Sequence, residues 1–294
     1  MKKLLILSGK GGTGKTTISS SFIKLSKADA YADCDVDAPN LHLMVDKPKQ
    51  SKKNPFYGLP KAKIDPEKCI QCGQCMDNCR FNAIKSNKGY EVDFYACEGC
   101  GVCDFVCPTN AISMRIAQAG NLMLYRDKNI FSTAKLNMGF GNSGMLVAEV
   151  KNQLDAEAPD SEYAIIDGSP GIGCPVIASI SGVDMVLVVT EPSLSGISDM
   201  TRVIDTADGF MVDCAICINK YDVNMKNTEK IEEICKKKNL PMTGRIPFDN
   251  MVVGAVNNGI AITDIDCPAG NAITETYHNT MKIFKNKIQE NDNE

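Results

Sequence analysis

The chemistry-bearing residues nearest the start of the chain are Gly9-Lys10-Gly11-Gly12-Thr13-Gly14-Lys15-Thr16, with Thr17 behind them. They fit G-x-x-x-x-G-K-S/T, a loop whose glycines let backbone N–H groups turn inward on phosphate oxygens. In such a loop Lys15 reaches the β- and γ-phosphates and the Thr16 hydroxyl reaches Mg2+. The helix that follows adds the partial positive charge of its N-terminus. Its flanks supply the required context: Leu4-Leu5-Ile6-Leu7 reads as a strand, and Ile18, Phe22 and Leu25 recur at helical spacing.

A second chemistry is written in cysteine. Cys69-x2-Cys72-x2-Cys75-x3-Cys79 is followed by Cys97-x2-Cys100-x2-Cys103-x3-Cys107-Pro108. This spacing matches the bacterial two-cluster ferredoxin pattern, in which the fourth cysteine of each run crosses to the other 4Fe–4S cluster. The first cluster is therefore expected on Cys69, Cys72, Cys75 and Cys107, and the second on Cys97, Cys100, Cys103 and Cys79. The repeat extends further, since Asn82-Ala83-Ile84 answers Asn110-Ala111-Ile112, and Ile64-Asp65 and Val92-Asp93 precede the two runs. Each half reads as a β-α-β-like unit, with Arg80 standing where the second half has Pro108. Zinc would call for isolated C-x2-C pairs instead.

Acids and amides at strand ends complete the inventory. A short strand at Ala30-Tyr31-Ala32 ends in Asp33, Asp35 and Asp37, at alternate positions. The run Tyr163 to Ile166 ends in Asp167-Gly168-Ser169-Pro170-Gly171, where an acid beside a phosphate loop can hold Mg2+ through water. The strand Met211 to Ile218 ends in Asn219-Lys220-Tyr221-Asp222, an amide placed to read a purine edge and an echo of the N-K-x-D pattern of guanine readers. Pro247, within Arg245 to Asp249, is expected to border the base.

Lys10 turns the loop into K-G-G-T-G-K-T, and with the D-x-D and D-x-x-P-G segments the chain resembles the signature-lysine (SIMIBI-type) ATPases of the MinD/Mrp superfamily, among them those with an inserted ferredoxin domain. The resemblance implies ATP or ADP as ligand, with Lys10, Lys15, Asp35 and Asp167 as the catalytic set. It implies that Lys10 reaches across a homodimer, or a heterodimer with a related ATPase, that Asp35 in switch I orients the attacking water, and that Asn219 contacts adenine. Asp167 would be the Walker B acid of switch II. The activity implied is ATP hydrolysis that couples dimerisation to metallocofactor assembly, cluster transfer or electron delivery to a redox partner. The contrasting implication is a spatial-positioning ATPase whose clusters sense redox or serve as scaffold. Because the insert follows switch I, closure there is expected to move the clusters. Two departures stand out: Cys214-x2-Cys217 lies before Asn219, whereas the Mrp-type carriers place their cluster pair after that strand, and Cys174 follows switch II without a second cysteine between Thr109 and Pro159.

The elements that must position these groups give a doubly wound α/β fold with a mostly parallel sheet, interrupted by a bacterial-type ferredoxin insert. The expected division is an ATPase part over 1–58, the ferredoxin domain over 59–118 and the rest of the ATPase over 119–294, with Lys47 to Lys61 reading as a linker and Leu122 to Tyr125 as a returning strand. With 32 basic and 36 acidic residues there is no global positive field, so no nucleic-acid partner is expected. The apolar run at the N-terminus meets Gly9-Lys10 too soon for a signal, and no segment approaches the roughly 20 apolar residues of a membrane span. Of 14 cysteines, eight sit in the metal-type runs, which suits a reducing cytoplasm. The C-terminal segment, with Tyr277, Met281, Phe284 and Ile288 on one face and Lys282, Lys285 and Lys287 elsewhere, reads as a closing helix rather than a membrane-surface one.

Overall fold

The computed structural model describes residues 1–45 and 50–291, with side chains through residue 286 except that of Gln50. The chain opens with β1 (Lys2–Leu7), α1 (Lys15–Ser26), β2 (Ala30–Asp33) and β3 (Gln50–Tyr57). A small lobe follows, made of β4 (Lys61–Ile64), α2 (Gln74–Asp77), β5 (Ile84–Ser86), β6 (Tyr90–Val92), α3 (Val102–Phe105) and β7 (Ile112–Arg115). The main body resumes with β8 (Gln118–Arg126), β9 (Ile130–Leu136), α4 (Ser143–Glu157), β10 (Tyr163–Asp167), α5 (Cys174–Ile180) and β11 (Met185–Thr190). It ends with α6 (Leu194–Gly209), β12 (Asp213–Asn219), α7 (Met225–Lys237), β13 (Met242–Ile246), α8 (Met251–Asn257) and α9 (Pro268–Asn291).

The main sheet has the order β13-β12-β11-β1-β10-β2-β9-β8-β3. Every pairing is parallel except those of β8, which runs antiparallel to both β9 and β3. Period-two alternation in β1 sends Leu5 and Leu7 to one core and Leu4 and Ile6 to the other, so both faces of the sheet are covered. Helices α4 to α7 pack on the first face, and α1, α8 and α9 on the second. The strand order reverses around β1, and the crevice at such a reversal is where doubly wound sheets bind ligands.

The linker reading of Lys47 to Lys61 is corrected by β3, whose residues pair with β8 from Gln50↔Arg126 to Tyr57↔Gln118. An edge strand need bury little, and here, among the described side chains, only Phe56 enters the core; the lysines and Pro55 that suggested a linker are what keeps such an edge from pairing with another chain. The part of that reading on Lys47, Pro48 and Lys49 lies outside the described residues. In the lobe, β4 pairs with β7 and β5 with β6, so each small sheet takes one strand from each half of the repeat. The C-terminal helix packs onto the sheet, with Tyr277 edge-on to Phe22 at 5.3 Å and Phe284 buried. The Lys287 and Ile288 side chains lie outside the described residues. Among the described residues no helix is long and apolar enough to cross a membrane.

One buried lysine ties two helices together. Lys151, on α4, is 7% exposed and donates to the carbonyls of Ala178 (2.9 Å), Ser179 (3.0 Å) and Ser181 at the end of α5. It satisfies the carbonyls a helix leaves unpaired and matches the negative end of its dipole. Lys151→Ala would leave those acceptors buried, and we expect a loss of about 2–4 kcal/mol in urea unfolding, an upper limit that full access of water to the gap would erode.

Candidate nucleotide and cluster sites

The loop between β1 and α1 closes around the crevice in a conformation that only glycine adopts freely. Gly12 and Gly14 have φ of 80° and 89°, and a Cβ on Gly14 would stand 2.3 Å from Nδ2 of Asn219. That amide donates to the Thr13 carbonyl at 2.6 Å, and Lys220 Nζ donates to the Gly12 carbonyl at 3.3 Å. Asn219 thus braces the phosphate loop, and it also lines the slot expected to hold the base. Asp222 accepts from Phe248 N at 2.7 Å, next in sequence to Pro247, which lines the slot. Gly11, Gly12, Thr13, Gly14, Lys15, Thr16 and Thr17 line the cavity as well. Gly9 instead backs onto α6, where a Cβ would come within 2.2 Å of Asp199 Cβ.

Asp167 is the hub. Its carboxylate, fully buried, accepts from Lys15 Nζ (2.7 Å), Thr16 Oγ1 (2.8 Å) and Ser19 Oγ (2.7 Å). Ser19 was not singled out from the sequence; the signal for it is its place one helical turn after Lys15 on α1. Asp33 pairs beside Asp167 on the adjoining strand and accepts from the N–H groups of Asp35 (3.0 Å), Asn40 (3.1 Å) and Leu41 (3.0 Å). Burial, and then the nearby Asp167, push its carboxyl up to about 7. Asp35 lines the slot and its carboxyl is also raised, chiefly by burial and against the pull of Lys15. Asp37 is exposed.

Lys10 lies back on its own chain. Its ammonium is paired with Glu191 and reaches Ser193 Oγ at 3.2 Å and Ser195 Oγ at 3.3 Å, and Glu191 also faces Lys220 at 3.6 Å. The sequence did not mark Glu191 as the partner of Lys10, because the loop ending β11 approaches it only through the β1–β11 pairing.

The eight cysteines of the lobe gather into two pockets. One is lined by Cys69, Cys72, Cys75 and Cys107, the other by Cys97, Cys100, Cys103 and Cys79, so each run sends its fourth cysteine to the other pocket. Among the described residues no three cysteine, histidine or acidic side chains converge tightly enough for a single metal ion. A 4Fe–4S cubane takes four thiolates, and each pocket is lined by four cysteines. Ala62 N donates to Cys97 Sγ at 3.5 Å, and Ala111 N to Cys107 Sγ at 3.2 Å. Cys214 and Cys217 are buried on opposite faces of β12, one in each core, and cannot share a ligand. Cys174 is exposed at the start of α5.

A raised carboxyl stabilises the fold while it stays protonated. The contribution of Asp33 is therefore fully present below its ordinary value of 3.8 and is lost as pH rises toward about 7. In nucleotide-free protein, chemical unfolding at pH 5 and pH 8 should show wild type losing on the order of 2 kcal/mol more than Asp33→Asn over that interval.

Residues 62–114 match the family model described as a 4Fe-4S dicluster domain. Over nearly its whole length the chain is similar to the uncharacterized protein MJ0578 of Methanocaldococcus jannaschii, 34% identical over 288 residues that cover 96% of this chain and 97% of that one. An iron-sulfur cluster carrier protein of Pyrococcus furiosus is 24% identical over 307 residues, with 96% and 88% covered. Among solved structures, the septum site-determining protein MinD complexed with Mg-ADP from Pyrococcus horikoshii superposes with a TM-score of 0.60 at 15% identity, covering 97% of this chain and 98% of that one.

Proposed function

Because the chain belongs to the MinD/Mrp superfamily of P-loop ATPases and carries an inserted ferredoxin domain, we propose that it hydrolyses ATP to control the delivery of electrons to a partner protein. The observation that carries this reading is the closed ligand set of each cysteine pocket. Four thiols from the chain itself would complete each of two 4Fe–4S clusters and leave no position for a recipient to enter, which suits electron transfer better than hand-over of a cluster. The C-x2-C pair, which could have served hand-over, is buried in β12. When bound, the clusters supply one-electron transfer.

The remaining chemistry belongs to the crevice. The slot would take Mg2+-ATP or Mg2+-ADP, and the N–H groups of Gly11 to Thr17 would hold the phosphates. With nucleotide bound, Lys15 would exchange Asp167 for the phosphates, and Asp167 and the Thr16 hydroxyl would be the groups to hold Mg2+, which would neutralise phosphate charge. Asp35 orients the attacking water. Lys10 leaves Glu191 to reach the nucleotide of a second subunit, the same chain or a related ATPase, so that dimerisation and hydrolysis are linked.

Two variants test the reading. Lys15→Ala should abolish nucleotide binding while keeping the iron content and visible absorption of the wild type, and, with its clusters reduced beforehand by dithionite and the excess removed, it should lose the ATP-dependent transfer of those electrons to a dye acceptor. Lys10→Ala should bind nucleotide, stay monomeric with an ATP analogue in light scattering, and release phosphate on the order of 100-fold more slowly. Acceptor reduction by cluster-loaded Lys15→Ala at the wild-type rate would show that the two sites work independently.

A further inference from the structure

The two cysteine pockets are built as repeats but surrounded differently. Lys61, the first residue of β4, is 5% exposed, and its ammonium donates to the carbonyl of Cys97, a ligand residue of the second pocket. Two aromatic faces hold it there: Phe94 of the lobe with its centroid at 5.5 Å, and Phe140 of the main body at 4.8 Å. A cation between aromatic faces is attracted by their quadrupoles, more strongly where water is excluded. The place equivalent to Lys61 in the other half, eight residues before the first cysteine of its run, is held by Gly89. The first pocket therefore has no such charge from the repeat.

Other groups near the ligands do not cancel this difference. Backbone N–H bonds to sulfur fall on both sets, at Cys97 and at Cys107, where the Thr109 hydroxyl also lies 3.8 Å away. Lys68 stands next to a ligand of the first set in sequence, and Arg80, Glu98 and Asp104 next to ligands of the second, but all four are exposed, where solvent and salt screen them. A buried charge acts through a lower dielectric and is screened much less.

We infer that Lys61 makes the two clusters unequal, its buried ammonium raising the reduction potential of the second above that of the first, with Phe140 holding the ammonium in place. This rests on the reading of two 4Fe–4S clusters. Each reduction adds one electron to a cluster, and a fixed positive charge beside it favours the more negative, reduced form. An electron entering the lobe then settles on the second cluster, the one in contact with the ATPase body.

Phe140 also ties that charge to the nucleotide site. It lies on the loop before α4, and Gly144 in the first turn of α4 is packed so closely that a Cβ there would stand 3.2 Å from Cys174 Cβ. Cys174 directly follows the switch II segment that starts at Asp167, and Lys151 clamps α4 to α5.

The test is an anaerobic redox titration of the full cluster-loaded chain, with dithionite as reductant, followed by EPR. Wild type should show two separate potentials. Lys61→Met should lower the higher one toward the other, Lys61→Arg should keep it, and Arg80→Ala should leave both nearly unchanged. Phe140→Leu, which keeps the lysine but loosens its seat, should lower the same potential by less, and it serves alone if Lys61→Met fails to load iron. An unchanged higher potential in loaded Lys61→Met, or in Phe140→Leu if only that variant loads, would overturn the proposal, as would an equal shift in Arg80→Ala. None of these readings needs nucleotide, so they stand apart from the hydrolysis and dimerisation tests of the ATPase reading.

Discussion

A fully buried carboxylate is tolerated only when it is paired and hydrogen-bonded, and Asp167 imposes that condition on everything around it. Lys15, Thr16 and Ser19 can reach it only because β1 and β10 run side by side in register and α1 starts at the loop that follows β1. Removing any one of these partners leaves the others with a partly unsatisfied charge in a dry site. The same arrangement leaves Asp33 beside Asp167 on the next strand, where burial and then that neighbour raise its pKa against the pull of Lys15 and of backbone N–H donors. The crevice is thus under electrostatic tension before any nucleotide arrives, and a divalent cation with phosphates is the kind of ligand that relieves it.

The lobe sits on the main body through a small polar and aromatic seam. Asn142 accepts from Leu59 N at 3.1 Å, Phe94 meets Phe140 edge-on at 5.6 Å, and Tyr95 lies over Gly139, where no Cβ would fit. From the order of segments, motion of switch I was expected to reach the clusters, since the insert follows it in the chain. The loop before α4, on which Phe140 lies, joins both switches: it follows Leu136, whose N–H donates to the Val36 carbonyl of switch I at 2.9 Å, and leads into the first turn of α4, where Gly144 lies against Cys174 after switch II.

Much was legible in the sequence because it depends on local spacing. The G-x-x-x-x-G-K-T loop, the acid at the end of an apolar run and the two cysteine runs each encode their geometry within a few residues, and the repeat in the lobe even marked which fourth cysteine crosses over. Polar segments misled the reading where tertiary pairing overrode composition. The Lys- and Pro-bearing stretch before the lobe is an edge strand.

By itself, then, the sequence determined the two chemistries and the fold that carries them, because a phosphate loop and a ferredoxin run are contiguous. Only the tertiary structure decided who meets whom across distance. Glu191 holds Lys10, Asn219 braces Thr13 as well as lining the slot, and Lys61 lies between Phe94 and Phe140 beside Cys97. These partners lie far apart along the chain or on different bodies, and no periodicity records them. They follow from strand order and from the seating of the lobe, which the burial of apolar surface and of charge selects for the chain as a whole.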